Sequence, residues 1–145
     1  MRAPFAIPVC LLLAACTGRE APARVTLEAR PLSREAARGE SVAAVESGRS
    51  TVAVRRTIAL TAPCRVLAAG VARAGGELTL LVVAEPDGRA CPRREVYLAY
   101  TARIDRLPPG RYDLRVVHVE RGGRGGAAPG AGDAVLVMER SVEVS

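Results

Sequence analysis

Residues 107–116 read LPPGRYDLRV. Two prolines followed by glycine cannot sit inside a helix and favour a tight turn. Beyond the turn, Tyr112, Leu114 and Val116 alternate with Asp113 and Arg115. That period of two describes a strand with one buried face. The alternation continues through RYDLRVVHVE, residues 111–120. A loop therefore swings sharply into a half-buried strand, and the rest of the chain can be read outward from it.

On the amino-terminal side, REVYLAYTARID (94–105) sets Val96, Leu98, Tyr100, Ala102 and Ile104 on one face. ELTLLVVAE (77–85) is apolar on both faces and reads as a central strand. Gly75 and Gly76 make a turn before it, and CRVLAAGVAR (64–73) is a further strand. In TVAVRRTIAL (51–60), Val52, Val54, Ile58 and Leu60 share a face on which Arg56 is the exception. SVAAVE (41–46) and RVTLEAR (24–30) are two more strands, and SGRS (47–50) is a turn. Ser33 can cap one helical turn that Gly39 stops, with a plain loop as the alternative. On the carboxyl-terminal side, RGGRGGAAPGAGD (121–133) is too polar and glycine-rich to pack a core. AVLVMERSVEVS (134–145) is a final strand with a bulge expected near Glu139.

Seven or eight short strands without a long helix predict an all-β fold, an antiparallel β-sandwich. The Leu-x-x-Gly-x-Tyr step at Leu107, Gly110 and Tyr112 resembles the corner of immunoglobulin-like sandwiches. The resemblance implies that Leu107 plugs the core, Gly110 permits the turn and Tyr112 ties the corner through its hydroxyl. It speaks to fold and not to activity. A transthyretin-like sandwich is the alternative. There is no tryptophan, and neither Cys64 nor Cys91 lies on the corner strand, so their pairing differs from the inter-sheet bond of antibody domains.

Residues 1–15 have a different character. Arg2 precedes an apolar run from Ala3 to Ala15, interrupted by Pro4 and Pro8. A membrane-spanning helix needs about 20 apolar residues, so the run fits the core of a secretory signal instead. It ends in Leu13-Ala14-Ala15-Cys16, which resembles the lipobox of bacterial lipoproteins. The resemblance implies removal of residues 1–15 and lipidation of Cys16. Residues 16–23 then form a lipidated tether and residues 24–145 a single domain. Its partner is the lipid bilayer, and it faces the periplasm or the outside. Thr17 in place of an aspartate after the cysteine favours the outer membrane.

Export bears on the other cysteines. In an oxidising compartment Cys64 and Cys91 are expected to form a disulfide. A metal site is not expected: His118 is the one histidine, and no Cys-x-x-Cys spacing exists. No cofactor motif is present. The glycine-rich stretch fits neither a Gly-x-Gly-x-x-Gly fingerprint nor a P-loop.

All 21 basic residues are arginine, against 15 acidic ones, for a net charge of +6. Arg121 and Arg124 resemble RGG segments that bind RNA, but an exported chain meets little nucleic acid, and none is expected as a partner. An envelope protein or an anionic surface is the expected partner, with Arg121 and Arg124 as possible contact residues.

Catalysis has little support. No serine sits in a Gly-x-Ser-x-Gly elbow. Asp105 with Asp113, and Glu85 with Asp87, are carboxylate pairs at turns, where such groups usually bond their own backbone. His118 is expected as an exposed or edge-strand imidazole. The chain is therefore read as a non-enzymatic envelope lipoprotein with a binding or structural domain. The alternative is an envelope hydrolase built around His118.

Overall fold

A computed structural model describes residues 22–39, 43–122 and 134–145. The expected leader, Cys16, Arg124 and most of the 121–133 stretch lie outside the described residues. The elements are β1 (Arg24–Leu32), α1 (Arg34–Gly39), β2 (Ala44–Gly48), β3 (Thr51–Leu60), β4 (Arg65–Ala74), β5 (Glu77–Pro86), β6 (Val96–Asp105), β7 (Gly110–Glu120) and β8 (Ala134–Val144).

Two four-stranded sheets pack face to face. One has the order β1-β6-β3-β2 and the other β4-β5-β7-β8, an all-β sandwich. Alternation decides which faces meet. Val52, Val54, Ile58 and Leu60 of β3 oppose Leu78, Leu80 and Val82 of β5 and Leu114 and Val116 of β7, all buried. Each such aliphatic side chain contributes about 1.5–3 kcal/mol when removed from water. With no tryptophan, close packing of branched aliphatics fills the core.

Five of the six strand pairings among the described residues are antiparallel, but β5 and β7 run parallel, with Leu80 opposite Val116. The connection explains this. A parallel pair needs a crossover, and β6, which lies in the opposite sheet, supplies it. As expected, β5 is central, between β4 and β7. Ser33 caps α1, its Oγ accepting the Ala36 amide at 3.1 Å. The bulge in β8 falls at Val137, opposite Val116 and Val117, two residues before Glu139.

The corner is formed at 107–112. Leu107 is 1% exposed. Gly110 has φ of 152°, a conformation that a side chain would strain. The Tyr112 hydroxyl donates to the Pro108 carbonyl at 2.7 Å. Cys64 and Cys91 are joined by a disulfide across 5.7 Å between Cα atoms. It ties the start of β4 to the connection between β5 and β6.

Candidate functional cleft

Two features open the sandwich on one side. β2 is short and pairs with β3 only as far as Arg55. From Arg56 onward β3 has no outer neighbour in its sheet among the described residues. Across from it, the bulge at Val137 turns the first residues of β8. Between them lies a cleft of about 1040 Å³, bounded at one end by the loops that Cys64 and Cys91 hold together.

The cleft begins where the inward faces of the strands change from apolar to polar. On β3, inward Arg56 follows inward Val54. On β7, inward His118 and Glu120 follow inward Val116. On β6, Tyr100 stands opposite Arg56 in register. The Tyr100 hydroxyl lies 2.7 Å from His118 Nε2, and the two rings meet edge to face. Burial, assisted by the positive charge of Arg56, pulls the His118 imidazole from 6.5 down to about 4. Burial also pushes the Tyr100 phenol upward, with Arg56 pulling the other way. Both rings are therefore neutral at pH 7. His118 is neither exposed nor on an edge strand, contrary to expectation, because β8 extends the sheet beyond β7.

Glu120 is the carboxylate that lines the cleft among the described residues, and protein groups already engage it. Its Oε1 accepts the Thr61 amide at 3.0 Å and the Thr61 hydroxyl at 2.7 Å. Arg65 Nε approaches the same oxygen at 3.5 Å, an ion-pair distance without hydrogen-bond geometry. Arg65 Nη1 also donates to the Arg121 carbonyl at 2.6 Å. Arg89 is paired with Asp87 at 2.7 Å. Arg56 and Arg93 also line the cleft. Neither makes a side-chain hydrogen bond or ion pair among the described residues.

Of the expected contact residues, Arg121 pairs with Glu85 at 2.7 Å, so its fork of donors is partly committed. The turn carboxylates also have local partners: Asp87 accepts the Arg89 amide and Asp105 pairs with Arg103. No serine lines the cleft among the described residues, and no group of three potential metal ligands is found among them. Arg56 stood out in the sequence as an arginine on an apolar strand face. Its proximity to His118 and Tyr100 did not, because each residue comes from a different strand.

The chain matches no family model, no curated protein and no solved structure.

Proposed function

We propose that this chain is a lipid-anchored envelope lipoprotein whose sandwich domain binds a ligand rather than transforming one. The Leu13-Ala14-Ala15-Cys16 sequence supports the anchor, with lipid on Cys16, and Thr17 supports an outer-membrane location. The observation that carries the binding reading is the cleft itself: two arginines without counterions among the described residues open into it beside the neutral His118 ring.

The hydrolase alternative draws on the same place, since His118 and Glu120 share the cleft. Chemistry disfavours it. An imidazole with a pKa near 4 is a poor base at neutral pH. Its Nε2 is held by Tyr100, and the Glu120 carboxylate is held by Thr61.

Cell fractionation of a Cys16→Ala variant tests the anchor. The variant is expected to leave the membrane fraction while keeping its melting temperature, and unchanged retention would contradict the proposal. If His118→Ala abolished a hydrolytic activity of the purified chain without unfolding it, the binding reading would fail in favour of the alternative.

A further inference from the structure

Arg56 is an unusual residue for its position. It continues the inward series of Val52 and Val54, both fully buried, and precedes buried Ile58. A charge on such a face is costly unless it is paired. Tyr100, its register partner on β6, and His118 on the facing β7 are uncharged and cannot balance it. The one carboxylate lining the cleft among the described residues, Glu120, is bound by Thr61 and Arg65. Arg93, on the loop held by the disulfide, faces the same space and likewise lacks a partner among the described residues. Val135 and Val137 give the cleft an apolar wall.

We infer that the cleft is an oxyanion-binding site: a small molecule seats a carboxylate or phosphate group on Arg56 and Arg93, beside the Tyr100–His118 pair. The planar guanidinium forks suit either group, each able to donate two parallel hydrogen bonds. The cleft has the size of an ordinary small-molecule site. Its wall at Val135 and Val137 favours a ligand with an apolar part next to the anion. This inference rests on the binding reading above and names the ligand class for it.

The chain contains one histidine, so imidazole-labelled protein gives a single ring signal in nuclear magnetic resonance. The full chain, in micelles of an uncharged detergent, is titrated at pH 7 with inorganic phosphate, with succinate, or with phosphatidylglycerol added to the micelles. A saturable shift of the His118 ring is expected with at least one probe. Phosphate or succinate acting alone identifies a free solute, and phosphatidylglycerol acting alone identifies a lipid headgroup. Arg56→Gln is expected to weaken the response by roughly tenfold or more. Arg103→Gln, which removes a residue paired with Asp105, is expected to leave it unchanged. If Arg56→Gln does not fold, Arg93→Gln takes its place, with the same weakening expected. The inference is overturned if no probe gives a saturable shift, or if the arginine variants respond like the parent chain. The outcome is independent of anchoring: a chain released by Cys16→Ala still reports on the cleft.

Discussion

The Tyr100 hydroxyl on β6 lies 2.7 Å from His118 Nε2 on β7, and this contact joins the two sheets where the core gives way to the cleft. Tyr100→Phe keeps the ring and removes the bond, leaving a partly buried ring nitrogen without its partner. Such a loss costs about 1–3 kcal/mol. Thermal melting is expected to fall accordingly, and an unchanged Tm would show that the contact contributes nothing to holding the sheets.

The same histidine makes stability depend on pH. Its folded pKa of about 4 lies below its ordinary value of 6.5, so between these limits the unfolded chain binds more protons. The contribution is complete above pH 6.5 and is lost as pH falls toward 4. Arg56 and Glu120 line the cleft with His118, buried Tyr100 contacts its ring from β6, and Arg56 deepens the effect by repelling the imidazolium. Melting of the parent chain is expected to fall faster over this interval than melting of His118→Gln. The difference between the two curves removes the part due to carboxylates. Arg56→Gln is expected to move the His118 midpoint upward; a midpoint that stayed near 4 would leave burial as the sole cause.

At the corner, two substitutions separate two effects. Tyr112→Phe removes the hydrogen bond to the Pro108 carbonyl and is expected to cost about 0.5–1.5 kcal/mol. Gly110→Ala keeps that bond but forces a side chain onto a backbone with φ of 152°. Strain of this kind costs about 1–3 kcal/mol. Denaturant unfolding measures both, and a neutral Gly110→Ala would mean that the corner relaxes.

The disulfide closes a loop with a sequence separation of 27. In the chain-entropy account this restricts the unfolded state by roughly 3–4 kcal/mol. Reduction is expected to lower the Tm by several degrees or more and to loosen the cleft end that the Cys64 and Cys91 loops form. Equal melting of reduced and oxidised chains would contradict this.

Much of the fold was legible because alternation is a local signal. The expected strand 51–60 and β3 coincide, and the corner at Leu107, Gly110 and Tyr112 formed as its pattern implied. The parallel pairing of β5 with β7 was not legible, since it depends on β6 crossing to the other sheet. The bulge falls at Val137, near Glu139 as expected; its exact residue was not legible because Val135 to Met138 are all apolar and give no phase. The cleft was visible only as an anomaly. Arg56 broke an apolar face, but its meaning required knowing that β2 ends opposite Arg55 and that His118 comes from the facing sheet.

The proposed compartment underlies the whole functional account, since the proposal puts lipid on Cys16 and the chain in the envelope. The most direct test is the intact mass of the chain extracted from cell membranes, with thiols alkylated before and after reduction. The account predicts a chain that starts at Cys16, carries the mass of attached lipid, takes up no alkyl group when native and takes up two after reduction. A chain that retains residues 1–15, has an unmodified Cys16 and alkylates freely at Cys64 and Cys91 without reduction would contradict it.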